Sequence, residues 1–505
     1  MPKILIKNGK VFDGTGSPWY KADVLVSDGQ IEAVGFLPDA YADTVIDAEG
    51  LAVSPGFIDA HSHTDMFSFL LSDVDGRIIQ GVTTEVSGMC GETAFPVEKF
   101  MARKNFATDL AFAVGHGKIR AAVMNFDDRE PTVEELEQMK ALLREAMELG
   151  AIGLSTGLIY PTGCFAKTDE IVELCKVVKE YGGIYVTHMR NEADELIPAL
   201  EEAITIGRES GCKVEISHHK ASGKQNHGKV KQTLEMMEKA REEGIDITCD
   251  AYPYTAGSTE IVTLFPQWVH EGGRRKLLGR LKDPAQRQKI KEEINVGVPG
   301  WENMYFNSGA EGILLCDLRE NPEYEGKNLQ ELGELLGKDP VDALIDLMID
   351  EDGDGIMACF SACEEDNFYV LQHRLTMVGS DGWGMPCDPN KCMGKPHPRC
   401  YGTFPRVLGV YARELGLFSM ETAVWKMTGF PATRYGLKDR GFLAAGKLAD
   451  VVIFDPETII DKATYAAPWT PPEGIHYVIK NGEIVVEGKE YNHKGLGLPQ
   501  KRRDA

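Results

Sequence analysis

No run of apolar residues in this 505-residue sequence approaches the roughly 20 needed to span a bilayer. The opening MPKILIKNGK carries no apolar segment of the secretory-signal type. Positive charge is scarce: 54 lysines and arginines stand against 78 aspartates and glutamates, a formal net charge of −24. Such a field repels nucleic-acid phosphates and anionic membranes, so neither partner is expected. A carboxylate ligand would have to be held by local cations. Cysteine shows no paired framework. Eleven are scattered along the chain, an odd number that reads as reduced thiols in a cytoplasmic protein. No Gly-rich nucleotide fingerprint follows the first core strand, which argues against a dinucleotide fold but leaves an open doubly wound sheet possible.

What the chain has is material for a core, 43% hydrophobic residues beside 26% charged ones, enough for one large barrel with an accessory domain. Strand-like runs at 4–6, 23–26, 30–34 and 44–46 share their texture with runs at 449–454 and 477–486. Turn signals such as Asn8-Gly9, Asp28-Gly29 and Asn481-Gly482 separate them. A small β-sandwich domain built by both chain ends, residues 1–54 plus 438–505, is therefore expected.

Between them, short apolar runs alternate with amphipathic segments. Candidate strands lie at 56–61, 83–86, 110–114, 151–155, 184–188, 214–218, 245–250 and 376–381. This is the rhythm of an α/β fold, a (β/α)8 TIM-like barrel over residues 55–437. The clearest helix is 133–149, where Thr132 precedes Glu135 by three residues, and Leu136, Met139, Leu142, Leu143 and Met147 keep helical spacing. Another follows His188, with Leu196, Leu200, Ala203 and Ile204 on one face. The stretch between 254 and 376 is too long for one βα connection. With helix-like segments at 268–281 and 340–349, it reads as a subdomain inserted at 260–350 that can serve as a lid.

His61-Ser62-His63 closes the first strand, and residues two apart on a strand point the same way. Two surface histidines give the same pattern. The motif gains weight because Cys90 follows the second strand, His188 and His218 end the fifth and sixth, and Asp381 ends the eighth. Barrel enzymes draw their catalytic groups from those strand ends. Four imidazoles and a thiolate are borderline-soft ligands, which favour zinc.

PGFIDAHSHTD (55–65), the Gly-Val-Thr-Thr and Cys90-Gly91 stretch, THMR (187–190), ISHHK (216–220), DAYPYTAGST (250–259), GSDG (379–382), and HPR followed by YGTFPRVLG (397–409) together resemble the N-acyl-D-amino acid deacylases of the amidohydrolase superfamily. The resemblance spans nearly the whole chain. It implies hydrolysis of N-acyl-D-amino acids, a tightly held zinc at Cys90, His188 and His218, and a weaker metal position at His61, His63 and Asp381. Asp381 would also be the catalytic acid/base. Lys220, Tyr252, Ser258 and Arg399 would hold the substrate carboxylate. Lys220 shares the facing of His218, whereas Tyr252 and Ser258 also suit packing and turn roles, and Arg399 a surface ion pair. Many superfamily relatives bridge two metals with a carboxylated lysine from strand four. Here that strand ends Gly153-Leu154-Ser155-Thr156, and the resemblance makes Cys90 the bridge instead.

Asp65 suits the support of a ligand histidine. His219 is expected to pack behind its strand, His116 to be a satisfied loop residue, and His397 to orient the loop carrying Arg399. Leu264, Met385 and Met393 hint at apolar contacts with the substrate side chain. Two other readings remain: a cyclic-amide hydrolase of the dihydroorotase or hydantoinase type, and a non-catalytic scaffold on the same fold.

Overall fold

Eight parallel strands, hydrogen-bonded in chain order, form the centre of the computed structural model, which describes residues 2–67 and 73–501. They are Phe57–Asp59, Val82–Ser87, Asp109–Gly115, Gly153–Gly157, Ile184–His188, Lys213–Ile216, Ile247–Ala251 and Thr376–Val378. Backbone bonds join the first to the eighth and close the ring: Ala60 N–H to the Val378 carbonyl (3.2 Å), Asp381 N–H to that of His61 (2.8 Å), and His63 N–H to that of Gly382 (2.9 Å). Three strands stop short of their expected ends at 61, 218 and 381. At two of them the reason is conformational: His218 (φ 34°) and Asp381 (φ 52°) take left-handed backbone, which ends extended pairing.

The helix expected at 133–149 is Val133–Leu149. Thr132 Oγ1 accepts from the Glu135 N–H (3.2 Å), while the Thr132 N–H donates to Glu135 Oε2 (2.8 Å). Gly150, at φ 112°, ends the helix in the left-handed turn that favours glycine. Its face of Met139, Leu143 and Met147 joins the barrel core with Leu110 and Phe112. Helix Leu196–Ser210 buries Leu196, Leu200, Ala203 and Ile204.

The two chain ends share one mixed sheet of nine strands. Val451–Phe454, from the C-terminal part, pairs antiparallel with Ala52–Pro55, and Ile4–Val11 lies beyond it. Ile6, Val24, Val26, Val451 and Ile479 form its core. Between barrel strands seven and eight the chain builds a three-stranded antiparallel sheet of Ala256–Glu260, Ile356–Phe360 and Ile313–Asp317. This inserted unit, whose sheet reaches a few residues past 260–350, has its own core of Leu264, Ile290, Leu315, Leu344 and Met357. The helix expected at 268–281 is split into a 3-10 turn, Gln267–His270, and a helix, Arg274–Lys282. Gly272 and Gly273, both at positive φ, break it. Among the described residues no helix is long and apolar enough to cross a membrane.

Candidate active site

The turns after the barrel strands bring the six ligand-type residues to one end of the barrel. Asp381 Oδ1 stands 3.0 Å from His63 Nε2 and 3.3 Å from His61 Nε2. Cys90 Sγ is 3.5 Å from His61 Nε2 and 3.4 Å from His218 Nε2. Ligand atoms of His61, Cys90, His218 and Asp381 all lie within 4.8 Å of one another, and those of His188, Glu192 and His218 form a second such group. The two groups share His218. Cys90 (φ 54°), like His218 and Asp381, holds left-handed backbone, a conformation that costs a non-glycine residue energy and clusters at functional sites.

Local structure explains how Cys90 is held. Ser155 Oγ, on the fourth barrel strand, accepts from the Gly91 N–H (3.1 Å) and donates to the Gly88 carbonyl (2.6 Å). Asp65 accepts from the Gly88 N–H (3.0 Å) and the Ala94 N–H (2.8 Å). Asp65 therefore braces the Cys90 turn rather than a ligand histidine, because its two oxygens are taken by that loop's backbone.

The cluster sets anionic donors among imidazoles. Burial would lower the His63 imidazole, but the hydrogen bond to Asp381 and the nearby Cys90 hold it up at about 9. Burial would raise the Cys90 thiol, yet the charges of His218 and His61 keep it well below the usual thiol range. Asp381 is likewise held well below the carboxylate range, against burial, by Arg399 and His218. A thiolate and a carboxylate thus stand among imidazoles. Both ring nitrogens of His188 and Nδ1 of His63 are buried without a hydrogen-bond partner. Such a donor set fits a zinc-type ion.

Two acids not singled out in the sequence complete this arrangement. Asp250 Oδ2 is 3.3 Å from His61 Nδ1, and its Oδ1 accepts the His218 backbone N–H at 2.8 Å. Glu192 lies 3.0 Å from His218 Nδ1, 3.6 Å from His188 Nε2 and 2.5 Å from Lys220 Nζ. Carboxylates on the far nitrogens fix ring orientation and raise ligand basicity. The only signals were spacing, Glu192 four residues past His188 and Asp250 at a strand end.

A cavity opens over the cluster. Lys220, Tyr252 and Ser258 line it. Arg399 sits behind, its guanidinium carbon 5.0 Å from the Tyr252 ring centre, with Lys220 Nζ 5.9 Å from the same ring. Arg399 Nη1 reaches within 2.7 Å of Asp381 Oδ2, and Nη2 donates to the Ser258 carbonyl at 3.0 Å. The Tyr252 hydroxyl and Arg399 Nε are buried without partners. Arg399 begins helix Arg399–Arg406 rather than lying in a loop. His397 Nδ1 accepts its backbone N–H at 3.0 Å, and the other ring nitrogen lies 3.0 Å from the Ala256 carbonyl.

The insert supplies the far wall through Glu302, Met304 and Asn307. Leu264 instead packs in the insert core, and Met385 and Met393 cluster with Tyr401, away from the cavity. His219 faces Thr233 at 2.8 Å, and burial pushes it down to about 4. His116 opens helix His116–Met124 and is 2.7 Å from Glu170.

The amidohydrolase family model matches residues 44–197 and 373–486, on either side of the insert. The chain belongs to the amidohydrolase family. It is 38% identical over 520 residues to the D-aminoacylase of Alcaligenes xylosoxydans xylosoxydans, covering 98% of this chain and 96% of that one. It matches a solved D-aminoacylase structure with a TM-score of 0.84 and 36% identity over 98% of this chain and 99% of the other. The N-acyl-D-glutamate deacylase of Bordetella bronchiseptica, solved with zinc and a phosphonate mimic of the tetrahedral intermediate, matches at a TM-score of 0.82 and 33% identity over 99% of each chain. In this amidohydrolase the fourth barrel strand, Gly153–Gly157, offers no lysine. Cys90 Sγ stands between His61 and His218 instead.

Proposed function

We propose that this protein hydrolyses N-acyl-D-amino acids to a carboxylic acid and a free D-amino acid. Cys90, His188 and His218 would hold one zinc tightly, with a weaker metal position at His61, His63 and Asp381. One observation carries the reading: Asp381 meets the metal-type donors through Oδ1 and the Arg399 guanidinium through Oδ2. A proton shuttle thus adjoins both the metal donors and the carboxylate-binding cations.

When bound, zinc supplies Lewis acidity that lowers the pKa of water from about 15.7 towards about 7 and polarises the amide carbonyl. Asp381 takes the proton of the attacking water and returns it to the departing amine, which is too basic to leave unprotonated. Lys220, Tyr252, Ser258 and Arg399 anchor the α-carboxylate, with Arg399 able to bind it through two N–H groups. The lack of a strand-four lysine and the presence of this cationic cradle favour a linear substrate over a cyclic amide. The names of the similar proteins, D-aminoacylase and N-acyl-D-glutamate deacylase, support the D configuration. Eleven free cysteines support a cytoplasmic setting.

Zinc-loaded protein is expected to release amino acid from N-acetyl-D-amino acids in preference to their L enantiomers. Turnover confined to hydantoins or dihydroorotate would sink the reading in favour of the cyclic-amide alternative. Glu192→Gln is expected to weaken zinc binding by about 10–100-fold, read by competition with a chelating dye; unchanged affinity would detach Glu192 from the site.

A further inference from the structure

The wall that the insert gives to the cavity carries a carboxyl that forms no ion pair among the described residues. Glu302 is 2% exposed and lines the cavity, and its Oε2 accepts the Glu192 backbone N–H at 2.6 Å. Among the described residues no lysine or arginine forms an ion pair with it. The site's nearest cations are engaged elsewhere, Lys220 at 2.5 Å from Glu192 and Arg399 at 2.7 Å from Asp381. Its neighbours on this wall, Met304, Asn307, Cys359 and Ser361, are neutral. Burial and then the Glu192 charge push the Glu302 carboxyl up to about 7, against the smaller opposing pull of its Glu192 N–H bond and of the Lys220 and His218 charges.

We propose that Glu302 makes the insert wall a side-chain subsite that accepts neutral or cationic D-amino acids and rejects acidic ones. The inference rests on the deacylase reading. With Lys220, Tyr252 and Arg399 committed to the α-carboxylate, a second carboxylate on the substrate side chain would face Glu302 across a wall whose other side chains, Met304, Asn307, Cys359 and Ser361, offer no cation. Like charges held close together repel, and a repulsive element of this kind sets specificity as effectively as an added contact.

Glutamine and glutamate have nearly the same shape and differ in charge, so N-acetyl-D-glutamine and N-acetyl-D-glutamate isolate the effect. At about pH 8.5, well above the ordinary carboxylate range, kcat/KM is expected to favour glutamine by about 100-fold, equivalent to about 2.7 kcal/mol. In Glu302→Gln, whose amide oxygen still accepts the Glu192 N–H, the ratio is expected to narrow by about ten-fold through a rise on glutamate. Met304→Arg leaves the Glu302 bond intact and places a cation on the same wall, and is expected to narrow the ratio too. Equal turnover of the two substrates by the unaltered protein overturns the subsite. So does a ratio that neither variant moves, or a Glu302→Gln effect on acyl-group charge (N-succinyl against N-acetyl) in place of side-chain charge. Absence of turnover for every N-acyl-D-amino acid overturns the deacylase reading itself.

Discussion

Asp381→Asn is expected to lower kcat/KM on N-acetyl-D-amino acids by about 10³-fold, within the range that a positioned acid/base contributes. Asparagine keeps the size of aspartate and can still accept from His63. It cannot take the proton of water, and so cannot return one to the amine. The loss is expected mainly in kcat, because Lys220, Tyr252 and Ser258 stay in place and Arg399, although it loses its charged partner, keeps its bond to the Ser258 carbonyl. Tightly bound zinc is expected to remain, since Cys90, His188 and His218 are intact. This separates proton transfer from metal loss. Full activity in Asp381→Asn would remove the residue from its role, and loss of all zinc would make it a structural ligand instead.

Cys90→Ala is the second large effect. Outer partners of a metal ligand are worth about 10–100-fold in affinity, so removing a ligand itself is expected to weaken zinc binding by about 10³-fold or more. Cys90 Sγ stands between His61 and His218, and no neighbouring side chain replaces a thiolate there. The turn itself is held by Ser155 and Asp65 through the backbone of Gly88, Gly91 and Ala94, so the variant is expected to fold. Metal content after dialysis reads the effect. Cys175, buried in helix Thr168–Glu180, is the control, and Cys175→Ala is expected to retain zinc. Equal metal content in the two variants would exclude Cys90 as a ligand.

The strands and the ligand-type residues at their ends were legible because both follow local rules. Apolar runs of strand length alternate with helical periodicity, and Thr132 with Glu135 marks a helix start three residues apart. What escaped was non-local or conformational. Asp250 on the seventh strand meets His61 after the first, and Glu192 reaches His218 and Lys220 at once, neither of which spacing reveals. Left-handed backbone at His218 and Asp381 ended their strands early, and no residue type announces it there. The split of the 268–281 helix was, by contrast, written in Gly272-Gly273. Glu302 lies in an irregular stretch of the insert and Met304 opens the short helix Met304–Ser308, too brief for a periodicity to read, and only the folded insert turns them toward the cavity.

D-amino acid release from N-acetyl-D-methionine, followed while zinc is returned to chelator-stripped protein, tests the metal site most directly. Release is expected to be absent from the stripped protein and to recover by about one equivalent of zinc, the content of a single tight site. Undiminished release from stripped protein would contradict a zinc-dependent site at Cys90, His188 and His218.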